Sequence, residues 1–134
     1  EWQARLDDLA AMPNTDRQKD MTRWLCARAV ETGIKRHAGV VTDLYTPTGK
    51  KQIVKGKDLT AVKWVVGTGG ALTRVEGGAD ILRGICTGAG KYLLPSPEAR
   101  ILIDEDYRFS ALGTLAQAYP EDVKKTFRRW IENR

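Results

Sequence analysis

A short apolar run that ends in glycines is the strongest candidate for ligand binding in this sequence. The segment WVVGTGGALTR, Trp64 to Arg74, places Gly67, Gly69 and Gly70 after a predicted strand and before a helix-like stretch. Glycine has no Cβ, so a ligand can approach the backbone amides, and N–H groups near a helix start favour negative charge. The spacing matches neither a P-loop nor the G-x-G-x-x-G fingerprint. From the residues alone, a tight connection and a ligand site are equally good interpretations.

The second candidate is the acidic cluster Asp104, Glu105 and Asp106. A metal or acid–base site would need these carboxylates aimed at one point. The cluster lies where a short strand is expected to give way to a helix. Capping and helix-dipole stabilisation explain acids at such a junction better. We therefore assign no catalytic residue and no metal ligand.

The thiols and the single histidine offer no further chemistry. Cys26 and Cys86 lie far apart with no CxxC motif, which excludes the common zinc spacings. A disulfide stays open, but free buried thiols in a reducing cytosol are favoured. His37 falls near the end of a predicted helix, before Gly39, and is expected to interact with the helix dipole rather than to act in catalysis.

Charge and composition restrict the class of protein. The 134-residue chain carries a net charge of +5, which invites a nucleic-acid interpretation. Its basic residues are spread out without an aromatic RNA-binding motif, so a solvated basic surface is favoured. No apolar run approaches the roughly 20 residues of a membrane span, and no signal peptide opens the chain. Because the sequence starts at Glu1 without a methionine, we expect it to be a piece of something longer.

Helical and strand patterns alternate, which favours an α/β fold with a short mixed sheet flanked by helices. A helical pattern over residues 2–12 ends at Pro13, and the cap residues Asn14 to Asp16 precede a long, mostly buried helix that ends at His37. We predict a single domain. Its parts are a helical region (1–38), a β-hairpin (40–56), a strand–glycine loop–helix unit (61–86), and a strand with two helices (100–134).

The later elements follow from apolar spacing and turn residues. The hairpin turns at Thr46-Pro47-Thr48-Gly49, and lysines suit its exposed second strand. AVKWVVG predicts a buried strand, and ILID predicts a short one. Asp104 should cap a helix from Glu105 to Tyr119, and Pro120 should begin the last helix. That helix packs one face, formed by Val123, Phe127, Trp130 and Ile131.

The glycine segment resembles the adenosine-binding segment of the actin-like ATPases, where a late strand ends in a run such as T-G-G-G-A-L-L. IDEDYRFSALGTLAQ (Ile103 to Gln117) resembles the last helix of that fold, with Gly113 expected near the nucleotide pocket. In order, YTPTG, GKDLTAVKWVVGTGGALT, ILRGI and IDEDYRFSALG are similar to the family of accessory proteins encoded beside adenosylcobalamin-dependent glutamate mutase, the MutL or GlmL type. This resemblance covers about residues 25 to 130.

The resemblance implies the C-terminal part of the second, RNase H-like lobe of an actin-like ATPase. Gly67, Thr68, Gly69, Gly70 and Ala71 would form the adenosine loop, and Arg74 would border the base. It further implies a cytoplasmic protein that binds ATP or ADP with magnesium and assists or reactivates a cobalamin-dependent mutase. The two phosphate hairpins and the catalytic aspartate belong upstream, so this piece is not expected to hydrolyse ATP alone. The upstream half of its own chain would be a second partner.

Two other functions stay open on the sequence. A small basic α/β module could bind nucleic acid or an acidic partner, with affinity that falls steeply as salt rises. A scaffold within an oligomer would bind neither and would use the apolar Phe127 and Trp130 face.

Overall fold

A computed structural model describes residues 2–88 and 90–132. The predicted α/β class is confirmed, with short strands in two small sheets and helices beside them. The chain divides into two compact units, Glu1–Ile103 and Asp104–Arg134. The single-domain assignment stays a prediction. The elements are α1 (Trp2–Asp7), α2 (Asp16–His37), β1 (Val40–Thr46), β2 (Gly49–Lys55), β3 (Trp64–Gly67), α3 (Gly70–Thr73), α4 (Gly78–Arg83), β4 (Arg100–Ile103), α5 (Arg108–Leu115) and α6 (Pro120–Glu132).

The long helix α2 begins and ends where the cap residues predicted. Thr15 is its N-cap: the Thr15 hydroxyl accepts a hydrogen bond from the Gln18 amide at 3.2 Å, and the Gln18 side-chain oxygen accepts one from the Thr15 amide at 3.4 Å. This reciprocal capping box satisfies donors that a helix start leaves without intrahelical partners. His37 lies in the last turn of α2, which is the position that an interaction with the helix dipole requires.

Two expectations for the N-terminal helices are wrong. Helix α1 ends at Asp7 rather than near Pro13, because its described side chains are exposed and provide little packing to support further turns. Helix α2 is not mostly buried: of its residues, all of which the structure describes, only Met21 is buried. It contacts α3 and α4 along one side, which leaves much of the predicted apolar arc half-buried.

The hairpin of β1 and β2 is confirmed in both strands and in its turn. The strands pair antiparallel from Val40 opposite Lys55 to Thr46 opposite Gly49, and the Thr46 hydroxyl donates to the Gly49 carbonyl at 2.7 Å. Gly49 has a φ of +119°, a conformation that favours glycine. All seven residues of β2 are exposed, as its lysines indicated.

The parallel pair β3–β4 forms the second sheet and supports the main core. Trp64 pairs with Arg100 and Gly67 with Ile103. The prediction of a buried β3 is wrong in part: Val65 packs against the core, but Val66 is 36% exposed. Alternate strand residues point to opposite faces, and Leu102, which pairs with Val66 on the same face, is 4% exposed, so that face is covered at β4 but open at Val66. The core cluster comprises Ile85, Cys86 and Ala99, with Val30, Ile34, Val65 and Ile101 packed against it.

The second unit is a pair of helices joined by aromatic packing. Phe109 of α5 lies edge-on to Phe127 of α6, with ring centroids 5.4 Å apart, and 5.6 Å from the Trp130 ring. Trp130 is buried, so the predicted packing face of the last helix is confirmed, as is its start at Pro120. The predicted span of α5 is too long, because Tyr107 adopts a left-handed φ of 54° and delays the helix start to Arg108.

The capping box yields a stability prediction. Thr15→Ala removes the hydroxyl that accepts from the Gln18 amide, and we expect unfolding free energy to fall by about 1 kcal/mol. Thr32→Ala, on the exposed interior of α2, should change stability little or raise it slightly. Urea unfolding followed by circular dichroism measures both. Equal losses for the two variants would contradict the capping role.

Candidate functional site

Gly67, the last residue of β3, is buried, and its missing side chain serves packing. A Cβ built on Gly67 would lie 2.6 Å from Leu82 Cδ1, 3.0 Å from Ile103 Cδ1 and 3.3 Å from Leu72 Cδ1. A residue with a Cβ at this position would force at least the Leu82 side chain of α4 to shift. The bare backbone at this position is therefore explained by the approach of α4.

A second glycine, Gly78, allows α3 and α4 to approach each other closely. A Cβ on Gly78, the first residue of α4, would overlap the Leu72 carbonyl oxygen of α3. Gly77 before it has a φ of +83° and lies against the Arg23 guanidinium of α2. The predicted strand–glycine loop–helix unit (61–86) contains this glycine pair but gives it no packing role. The Gly-Gly doublet itself was the available signal, because paired glycines often mark a close approach of two backbone segments.

The four residues that follow Gly67 turn away from the core toward solvent. Thr68, Gly70 and Ala71 are exposed, and Gly69 is half-buried with a φ of +90°. A Cβ on Gly69 would meet nothing within 4 Å, so open space lies beside it. Gly69 is the N-cap of α3 and supplies no side-chain hydrogen bond to the helix start. The segment Thr68–Ala71, which we call the glycine loop, thus presents backbone to solvent.

Short hydrogen bonds fix the shape of the glycine loop. The Gly69 carbonyl accepts from the amides of Leu72 and Thr73, each at 3.0 Å, and from the Thr73 hydroxyl at 3.1 Å. The amide of Arg74 donates to the Gly70 carbonyl at 2.9 Å. Arg74 is the C-cap of α3, the short helix that begins within the glycine loop, and it is exposed.

The glycine loop lies on an open surface rather than in an enclosed pocket. Cavities of about 710, 580 and 420 Å³ occur between α1 and α2, between α2 and α4, and at the starts of β3 and β4. The glycine loop lines none of these three. A ligand held on it would therefore need a second wall to be enclosed.

The acidic cluster has the capping role that the sequence favoured. Asp104 is fully buried, and its carboxylate accepts from the amides of Arg108 at 2.8 Å and Phe109 at 3.0 Å. Asp106 is exposed and forms an ion pair with Arg108, with 3.0 Å between Oδ2 and the guanidinium. Across residues 2–88 and 90–132, no group of three histidine, cysteine or acidic residues could hold a metal ion.

The two cysteines are free, and neither is activated. Burial raises the pKa of the Cys86 thiol, although the nearby Arg83 charge opposes the shift, and burial also raises the pKa of the half-buried Cys26. Thiols with raised pKa values are poor nucleophiles at neutral pH. None of the helices in the described ranges is long and apolar enough to cross a bilayer.

The fold and the glycine loop together define a small α/β protein with a glycine-rich turn at the carboxyl end of a parallel strand. The sequence profile of the MutL protein family matches residues 1–131, and the chain belongs to that family. It is 30% identical over 128 residues to Protein MutL of Clostridium tetanomorphum. That match covers 95% of the chain but 28% of the relative's length. No solved structure matches the chain.

The packing around Gly67 can be tested directly. Gly67→Ala places a methyl group against three apolar side chains, and we expect a loss of about 1–3 kcal/mol of unfolding free energy. Gly33→Ala, in the exposed interior of α2 with nothing within 4 Å, should instead gain about 0.5–1 kcal/mol. Chemical denaturation of both variants gives the comparison. A Gly67→Ala protein as stable as wild type would show that α4 does not pack as described.

The role of the buried carboxylate generates a second prediction. Asp104→Ala leaves two amides without their acceptor, and we expect unfolding free energy to fall by about 1–3 kcal/mol. Asp106→Ala breaks an exposed ion pair with Arg108 and should cost about 0–1 kcal/mol. Thermal unfolding of the two variants tests this. Unchanged stability of Asp104→Ala would remove the capping explanation and reopen a chemical role for the cluster.

Proposed function

We propose that the glycine loop holds the adenosine end of ATP or ADP in a glutamate mutase accessory protein of the MutL type. The observation that carries the proposal is the exposed backbone of Thr68–Ala71 at the carboxyl end of β3. In α/β sheets, ligands bind outside the carboxyl ends of parallel strands. Membership of the MutL family supports the proposal, because the resemblance to actin-like ATPases in this segment implies an adenosine loop at the same residues.

The residues that surround the glycine loop leave room for a nucleoside. Gly69 leaves open space beside its backbone, and a flat purine or ribose can rest there without meeting a side chain. Arg74 is exposed at the end of α3, where its guanidinium can stack on a base. Gly67 does not face this space. Its part in the site is to position the loop by packing beneath it.

The phosphates and magnesium would be held by other parts of the gene product. The described residues place no three possible metal ligands together, and the glycine loop lacks the lysine of a P-loop. The chain spans 28% of the length of its MutL relative, so activity of the whole protein is part of this proposal. Closure of a second wall over bound nucleotide would couple nucleotide state to a hinge motion that acts on an adenosylcobalamin-dependent mutase.

Isothermal calorimetry with ADP and ATP on the complete gene product tests the proposal. Gly69→Val adds a branched side chain to the open space and should weaken ADP binding by about tenfold or more, corresponding to about 1.4 kcal/mol. Gly90→Val is the matched control, because Gly90 has a nearly identical φ of +91° and also meets nothing within 4 Å. Both variants carry the same backbone strain, which separates loss of the site from loss of stability.

The expected result is normal ADP affinity for Gly90→Val and weakened affinity for Gly69→Val. Equal affinities in the two variants and the wild type would contradict placement of adenosine on the loop. Weakened ADP binding in both variants would show that backbone strain, rather than loss of the site, lowers the affinity.

A further inference from the structure

The hairpin of β1 and β2 leaves one long backbone edge open. The inner edge of β1 is partly occupied: the Val41 amide donates to the Lys91 carbonyl at 2.8 Å, and Val40 forms a bridge with Tyr92. In the part of the chain that the structure describes, no strand pairs with the outer edge of β2. Since all seven β2 residues are exposed, another strand can reach this edge.

Large apolar side chains lie exposed on both faces of the same hairpin. Leu44 is 45% exposed, Tyr45 77%, Ile53 44% and Val54 59%. A two-stranded hairpin is marginally stable alone, and exposed apolar patches of this kind mark interaction surfaces. A third strand would extend both faces and bury part of these side chains.

The positive charges along β2 favour an acidic partner. Lys51 and Lys55 flank Ile53 on one face, and within the described ranges neither makes an ion pair, whereas Lys50 is neutralised by Asp43 at 2.8 Å. A second copy of this edge would bring lysines close to lysines, which disfavours self-pairing. An acidic strand would instead place carboxylates beside Lys51 and Lys55.

The surface favours protein over nucleic acid. Recognition of single strands of nucleic acid uses aromatic platforms and a continuous basic groove. Here the residues between the lysines are Gln52, Ile53 and Val54, and the remaining unsatisfied groups are strand N–H and C=O groups. These match the addition of a peptide strand, in which main-chain hydrogen bonds give affinity and alternate side chains give specificity.

We propose that the outer edge of β2 binds an extended acidic segment of a partner protein, which adds to the hairpin as a third strand. Carboxylates four residues apart pair with Lys51 and Lys55, and the apolar residue midway between them, on the same face, covers Ile53. This surface is separate in sequence from the glycine loop. Peptide binding at the outer edge of β2 can therefore be tested independently of nucleotide binding at the glycine loop.

The test uses the complete gene product and the peptide Glu-Thr-Val-Thr-Glu-Thr-Val-Thr-Glu with blocked ends, in which Glu and Val alternate along one strand face (the Glu-Val peptide). Its binding is followed by fluorescence anisotropy. We expect saturable binding that the double variant Lys51→Glu/Lys55→Glu weakens by about tenfold or more. Lys124→Glu/Lys125→Glu on α6 makes the same charge change elsewhere and should leave affinity within about twofold of wild type. The Lys51→Glu/Lys55→Glu protein should gain binding to a Lys-Val peptide, a result that unfolding cannot produce.

A peptide methylated at every backbone nitrogen keeps its charge but loses its strand donors, and we expect it not to bind. Four results would overturn the proposal: no binding of the Glu-Val peptide, equal binding of the methylated peptide, equal weakening by both double variants, or preferential binding of a 20-residue oligothymidylate. A fifth result would also overturn it: concentration-dependent dimerisation that Lys51→Glu/Lys55→Glu abolishes would assign the edge to a second copy.

Discussion

The close approach of α4 to the carboxyl end of β3 is the constraint on which this structure depends. Gly67 lies beneath side chains of α3, α4 and β4, and Gly78 lies against the Leu72 carbonyl. Neither position has room for a Cβ. Two glycines therefore allow one strand, two short helices and a parallel partner strand to meet at a single point. Helices of four and six residues have little stability of their own, so this packing holds them in place.

The same packing explains why the glycine loop faces outward. With Gly67 fixed below, the chain must leave the sheet at once, and Gly69 makes that turn with a φ of +90°. The hydrogen bonds to the Gly69 carbonyl then hold Thr68–Ala71 in one conformation. A rigid, open stretch of backbone is suited to half of a ligand site, because little conformational freedom is lost when a ligand binds. The proposed nucleotide site would need its second half from residues other than those that surround this loop.

Much of the fold could be predicted because local signals fixed it. Thr15 and Gln18 specified the start of α2, the Thr46–Gly49 turn specified the hairpin, and Pro120 specified the start of α6. Burial was predicted less well, since it depends on which elements come together. Val66 shows this: its apolar run indicated a buried strand, but Val66 is exposed, although its partner Leu102 on the same face is buried. The left-handed turn at Tyr107 had no signal in the sequence, because large side chains rarely adopt positive φ.

The candidate site, too, could be predicted only in part. Sequence spacing located the glycine loop and its place after a strand, but gave the same meaning to Gly67 as to Gly69 and Gly70. Only the packing separates Gly67, whose bare Cα serves the core, from Gly69, which faces open space. Likewise, the capping role of Asp104 followed from its position at a strand-to-helix junction, whereas its complete burial did not.

Amide hydrogen exchange on the complete gene product, with and without saturating ADP, tests the central claim most directly. The account predicts slower exchange in residues 68–74 when ADP is bound, with unchanged exchange in the hairpin at residues 40–55. Unchanged exchange at residues 68–74, together with protection by ADP elsewhere in the protein, would contradict it.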